Sequence, residues 1–188
     1  MTSARDGASP DFKRDLLAQL PALRAFAVSL CGRSDQADDL LQNTILKAWS
    51  NQESFAPGTN MKAWLFRILR NDFYSELRLR RRELPDSDGE HSARLTVHPG
   101  QHAALDLKDF RRALEALPND HREAIVLVGA SGFSYEEAAA ICGCAVGTLK
   151  SRVNRARASL RELLSLAEDD DFGPDMAFPA AGTAAKPV

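Results

Sequence analysis

Apolar residues recur at three- and four-residue steps through most of the chain. No segment alternates apolar and polar positions as a strand would, so the pattern predicts an all-α protein. From about Pro10 to Cys31, the residues Leu16, Leu20, Leu23, Ala27 and Leu30 form one stripe, and Gly32 stops the run. A second helix is expected from Ser34 or Asp35 to Trp49, burying Leu41, Ile45 and Ala48 or Trp49. Within Ser54–Thr59 the Pro57-Gly58 pair forbids continued helix. Asn60 is then a suitable N-cap for a long third helix through Trp64, Phe66, Ile68 and Phe73 into Arg80-Arg81-Arg82.

The periodicity lapses over residues 84–104, where Pro85, Gly89, Pro99 and Gly100 stand among acids, and a flexible linker is expected. It resumes with Leu107, Phe110 or Arg111, Leu114 and Leu117, and Pro118 ends that helix. Asp120 and Glu123 have capping-box spacing before a helix through Ile125, Val126 and Leu127. Ser134 and Glu137 repeat that spacing, and Gly143 falls where the chain must turn sharply. The helix after the turn divides by face: Leu149, Val153, Ala156, Leu160 and Leu163 are apolar. Lys150, Asn154, Arg157 and Arg161 lie on a polar face, flanked by Ser151, Arg152 and Arg155. Two small helical domains follow, at 11–83 and 105–166, with a disordered start over 1–10 and an acidic, disordered tail over 167–188.

Charge sharpens this outline. The whole chain carries −2, yet residues 62–82 and 146–161 each carry a net +5, which implies selective contact with a polyanion. A short helix, a glycine turn and a one-sidedly basic helix make a helix-turn-helix built for a major groove. Three cysteines, no secretory leader and no long apolar run point to a reducing, cytoplasmic setting without a membrane span. Cys142 and Cys144 are expected to pack at the hairpin turn. His98, His102 and Asp106 have helical metal spacing, but Pro99 and Gly100 interrupt it. No metal, cofactor or catalytic residue is expected, because no nucleophile–base set, phosphate loop or carboxylate pair is present.

Asp38-Asp39-Leu40-Leu41-Gln42-Asn43-Thr44, followed by Lys47-Ala48-Trp49, resembles the helix by which bacterial sigma factors hold the clamp of RNA polymerase core. Asn60 to Asn71, running into Arg80-Arg81-Arg82, resembles their promoter-melting segment, and Gly147-Thr148-Leu149-Lys150-Ser151-Arg152 their last helix. Over residues 11–166 the chain is similar to extracytoplasmic-function (group four) sigma factors, with a region-two and a region-four domain. Leu20 to Ala27 and Gly58 to Phe66 look most like the alphaproteobacterial general-stress-response type.

The resemblance implies a set of contacts. Asp35, Asp38, Asp39, Gln42 and Asn43 would face core polymerase; the family commonly has Glu where this chain has Asn43, which removes a charge. Phe55, Thr59 and Asn60 would hold an unpaired base of the downstream element. Lys62, Arg67, Arg70, Asn71, Arg78 and Arg81 would form its phosphate track. Trp64 is expected in the domain core instead. Thr148, Lys150, Ser151, Arg152, Arg155 and Arg157 would meet the upstream element, with Arg152 or Arg155 on a guanine edge. Ala145 and Val146 stand where relatives often carry a cap. The implied partners are the polymerase core (beta-prime clamp and beta flap), promoter DNA and an anti-sigma factor, with the chain a monomer outside its complexes. Sigma mimics that titrate an anti-sigma factor share the fold, but they tend to lose the basic DNA contacts that this chain keeps.

Overall fold

The computed structural model describes residues 10–83 and 107–164; the expected N-terminal segment, linker, His98–His102–Asp106 spacing and acidic tail lie outside the described residues. The chain forms two compact helical units.

The first unit packs three helices: α1 (Pro10–Cys31), α2 (Ser34–Ser50) and α3 (Met61–Glu83). Its core joins Phe12, Leu16, Leu23, Phe26, Ala27 and Leu30 of α1 to Met61, Leu65, Phe66 and Leu69 of α3. Phe26 and Phe66 stack with centroids 4.8 Å apart and planes 21° from parallel, a contact worth about 1 kcal/mol beyond its buried area. Gly32 adopts φ +71°, the left-handed region that ends α1 without a Cβ penalty.

The buried stripe of α2 matches the expected one at Ala48 and differs from it elsewhere. Ala37, Leu40, Thr44 and Ala48 are buried, whereas Leu41 and Ile45 are half-buried and Trp49 is 39% exposed. Two alanines and a threonine let α2 lie close to its neighbours, so small side chains and not the largest ones define the inner face. Thr44 is wholly buried because its hydroxyl donates to the Leu40 carbonyl at 2.8 Å, which removes the cost of an unpaired hydroxyl.

Between α2 and α3 runs a short 3₁₀ turn, Gln52–Ser54, and then Ala56-Pro57-Gly58-Thr59. Proline followed by glycine at φ +84° meets the two backbone demands of a type II turn, and the Thr59 amide closes it on the Ala56 carbonyl at 3.2 Å. Asn60 caps α3 as expected, its Oδ1 accepting from the Ala63 amide at 3.0 Å.

The second unit consists of α4 (Leu107–Ala116), α5 (Asn119–Ile125) running into a wider turn at Val126–Ala130, α6 (Tyr135–Cys142) and α7 (Val146–Leu163). The apolar stripe of α7 is the one its periodicity predicts: Leu149, Val153, Ala156 and Leu160 are buried and Leu163 is half-buried. Ala156 and Leu160 join Ala113 and Leu117 in a core that Phe110, Leu114 and Ile125 flank.

The Ser134–Glu137 capping box is present with both bonds, Glu137 N to Ser134 Oγ at 3.1 Å and Ser134 N to Glu137 Oε2 at 3.0 Å. The second expected box, Asp120–Glu123, does not form. Pro118 occupies the N-cap of α5, which moves Asp120 inside the helix, and Glu123 is wholly buried. Arg122 does the local capping in a different way: its Nη2 donates to the Glu115 and Leu117 carbonyls at 2.8 and 2.9 Å, closing the end of α4.

Candidate nucleic-acid and polymerase interfaces

The acid-and-amide surface of α2 is exposed, but its acids are not equivalent. Asp38 is held by Arg24 of α1, and Asp35 by Arg33 through an Nη2–Oδ2 contact of 2.7 Å. The hydrogen bond from Arg33 holds the Asp35 carboxyl below the usual carboxylate range, and the hydrogen bond to Asp38 raises the Arg24 guanidinium. Asp39 has no ion-pair partner among the described residues. With Gln36, Gln42, Asn43, Glu76 and Arg80 it lines a groove of about 300 Å3 between α2 and α3. The groove sets the acid and amides of α2 beside the Glu76–Arg80 pair of α3.

Along α3, one face carries the apolar core residues and the opposite face carries Arg67, Asn71, Arg78 and Arg81, all exposed. Arg70 is half-buried with its guanidinium carbon 4.6 Å from the Tyr74 ring centroid. Lys62, also half-buried, has Nζ 5.9 Å from the Phe66 ring. Such cation–π contacts hold a long side chain in place while leaving its charge to bind phosphate. Arg78 lies back on the helix, donating from Nε to the Tyr74 carbonyl and from Nη2 to Ser75 Oγ, each at 3.2 Å. Arg80 lines the groove shared with α2 and pairs loosely with Glu76 of its own helix at 3.7 Å.

In the loop before α3, Phe55 is partly packed against the fold. Its ring is half-buried, 5.3 Å from Trp64 and 6.1 Å from Phe12, and Trp64 meets Phe12 edge-on at 6.2 Å. Trp64 therefore packs in an aromatic cluster at the margin of the core, and Phe55 belongs to that cluster and does not stand free. Thr59 and Asn60 are exposed, with Thr59 Oγ1 donating to the Ala56 carbonyl at 2.7 Å. A second groove, of about 270 Å3, opens beside the loop and is lined by Lys47, Asn51, Ser54, Trp64, Ile68, Asn71 and Asp72. Lys47 pairs there with Asp72, whose side chain is only 10% exposed.

In the second unit Gly143, at φ +65°, ends α6 and turns the chain into α7. Ala145 is the N-cap of α7 and makes no side-chain cap bond, so the first amides of α7 are not satisfied by a capping side chain. Thr148, Lys150, Ser151 and Arg155 are exposed and Arg157 is half-buried. Lys150 Nζ sits 5.6 Å from the Tyr135 ring on α6. Arg152 differs from its neighbours: its side chain is 25% exposed, and Nε lies 3.3 Å from Asp120 Oδ2 on α5.

Arg24, Tyr74, Asp120 and Tyr135 thus support the candidate contact residues, and sequence reasoning did not find them. Their signal is tertiary; only Tyr74, four residues after Arg70 on one helix face, was open to detection from spacing. Cys142 is buried and Cys144 half-buried at the hairpin turn. Among the described residues no helix is long and apolar enough to cross a membrane.

Comparison with known proteins gives this geometry a family. Residues 16–83 match the family described as Sigma-70 region 2, and residues 107–160 match Sigma-70, region 4. The chain is 61% identical over 161 residues to the ECF RNA polymerase sigma factor EcfG of Rhodopseudomonas palustris, covering 86% of this chain and 89% of that protein. Among solved structures it is similar to the sigma factor RpoE in complex with the anti-sigma factor NepR from Bartonella quintana. That match has a TM-score of 0.72 and 60% identity, over 84% of this chain and 99% of the other. CnrH in complex with the cytosolic domain of CnrY matches with a TM-score of 0.60 and 28% identity, over 85% of this chain and 90% of that one. Two helical units in region-two and region-four order, each with a basic face, and relatives matched over nearly their whole length place the chain in the sigma-70 family, as an extracytoplasmic-function RNA polymerase sigma factor.

Proposed function

We propose that the chain is the promoter-specificity subunit of polymerase in a general stress response, acting in the cytoplasm and supplying no catalytic residue of its own. The α2 surface of Asp35, Asp38, Asp39, Gln42 and Asn43 docks on core. Residues of α7 hold the upstream element in the major groove: Lys150 and Arg157 grip phosphate, Thr148 and Ser151 line the groove, and Arg152 or Arg155 meets a guanine edge. Phe55, Thr59 and Asn60 receive an unpaired downstream base, and Lys62, Arg67, Arg70, Asn71, Arg78 and Arg81 hold the strand.

Strand opening in this scheme is driven by binding. Unstacking a step costs a few kcal/mol, and stacking on an aromatic returns about 1–3 kcal/mol per base. Phosphate contacts made only in the open state supply the rest. The observation that carries the proposal is the pairing in one chain of two basic helix faces, on α3 and α7, in units that match sigma regions two and four. The complex of the Bartonella relative with NepR supports an anti-sigma factor as the inhibitory partner.

The test is transcription in vitro with purified core polymerase on a genomic DNA library, with the starts sequenced. Discrete starts sharing two spaced elements, lost on Arg152→Ala and on Lys62→Ala, are expected. Core binding without any starts would turn the assignment toward an anti-sigma-titrating mimic.

A further inference from the structure

Among the basic side chains of α7, Arg152 alone has an ion-pair partner among the described residues. We infer that Asp120 is a positioning residue for sequence reading, holding Arg152 by Nε so that the guanidinium's terminal edge is the part left for a base. This rests on the proposed placement of α7 in the upstream element.

Three observations carry it. Asp120 is itself fixed: its Oδ1 accepts from the His121 amide at 3.1 Å, and its Oδ2 faces Arg152 Nε at 3.3 Å. Its oxygens thus tie the side chain to the start of α5 and to α7, two helices that pack together. Next, Lys150 and Arg155 are exposed, and Arg157, half-buried like Arg152, has no ion-pair partner among the described residues, so the pair with Asp120 is what sets Arg152 apart. Finally, a bidentate contact to guanine O6 and N7 uses the two terminal nitrogens in a fixed plane. An ion pair whose short contact is at Nε leaves those nitrogens available and narrows the orientations open to Arg152 before DNA arrives. A carboxylate near a phosphate track otherwise weakens DNA binding, so its presence on α5 is explained by what it does to Arg152.

The experiment uses the full chain assembled with core polymerase. A promoter is selected from a randomised library, and duplexes carrying each single base-pair change in the upstream element are then ranked by retention. Wild type is compared with Asp120→Asn, Asp120→Glu, Arg152→Ala and the Asp120→Asn/Arg152→Ala double variant. Asparagine keeps the Oδ1 acceptor for His121 and removes the charge.

Asp120→Asn is expected to lower discrimination about tenfold at one base pair, the same one at which Arg152→Ala abolishes it. The double variant should lose no more than Arg152→Ala, Asp120→Glu should recover part of the loss, and the salt slope on a scrambled element should not fall. An even loss at every position with a lowered Tm would make Asp120 structural and overturn the inference. A changed profile for Arg152→Ala with none for Asp120→Asn would overturn it while sparing the α7 assignment. An unchanged profile for Arg152→Ala would remove Arg152 from base reading and the inference with it.

Discussion

Arg24 grips Asp38 across the α1–α2 interface with two nitrogens, Nε to Oδ1 at 2.8 Å and Nη2 to Oδ2 at 3.2 Å, and Nη2 also donates to Ser34 Oγ at 3.0 Å. A bidentate arginine–carboxylate pair has more geometric definition than most surface pairs. It also means that Asp38 offers a partner a neutralised ion pair, whereas Asp39 offers a full charge. The acids of α2 therefore divide into Asp35 and Asp38, which are paired within the fold, and Asp39, which has no ion-pair partner among the described residues.

The division has a measurable consequence for docking on core. Asp39→Ala is expected to weaken core binding on the order of tenfold, and Asp38→Ala by less than about threefold. Competition for labelled core, read by fluorescence anisotropy, separates the two. Equal losses would mean that Arg24 lets go of Asp38 when core docks.

Asp35 gives the surface a pH signature. Its carboxyl is held below the usual range in the folded chain, first by the hydrogen bond from Arg33. A depressed folded value contributes stability above the ordinary carboxylate range, and that contribution is lost as pH falls through the lowered value. Arg33→Ala should move the Asp35 titration, followed by carbon-13 NMR of the carboxyl, upward toward the ordinary range. A titration that does not move would mean that the pair is not kept in solution.

The inner face of α2 can be tested by a neighbouring pair of leucines. Leu40 is 1% exposed and Leu41 half-buried. Leu40→Ala should cost about 3 kcal/mol and Leu41→Ala less than half of that, by denaturant unfolding of the chain. The reverse order would restore the stripe through Leu41 and Ile45 that size alone suggests.

That reversal of size and burial explains where the sequence was readable. α1 and α7 bury long apolar residues at clean helical steps, so their extents and most of their stripes were legible, although in α1 Leu20 is only half-buried and Phe12 and Phe26 join the core. So were the Ser134–Glu137 box and the Gly143 turn, where cap and glycine chemistry have few alternatives. In α2 the buried positions are Ala37, Leu40, Thr44 and Ala48, three of them small, and a rule that seeks the largest residues slips by one position. Asp120 and Glu123 have the right spacing for a cap, but Pro118 takes the N-cap and shifts the register. The pairs that organise the candidate contacts, Arg24 with Asp38 and Arg152 with Asp120, join residues on different helices. No periodicity encodes them, because they depend on how helices pack and not on what each helix is.

Phe55 connects stability to promoter opening. An aromatic that serves only to stack a base stands in solvent, and its removal leaves the fold alone. Phe55 instead touches Trp64 and Phe12, and Phe12 is 8% exposed at the edge of the core. Removing the ring should therefore cost the first unit about 1 kcal/mol through lost aromatic contacts. It should also loosen the loop that carries Thr59 and Asn60. Phe55→Ala is expected to lower the first unit's Tm by a few degrees and to reduce permanganate reactivity of downstream thymines on a promoter bound by holoenzyme. Phe12→Ala provides the control, because it breaks the same cluster from α1 without removing a candidate base contact. If Phe12→Ala reduces opening as much as Phe55→Ala at equal loss of Tm, the cluster acts by holding the loop. A larger opening defect for Phe55→Ala assigns its ring a direct contact with the unpaired base.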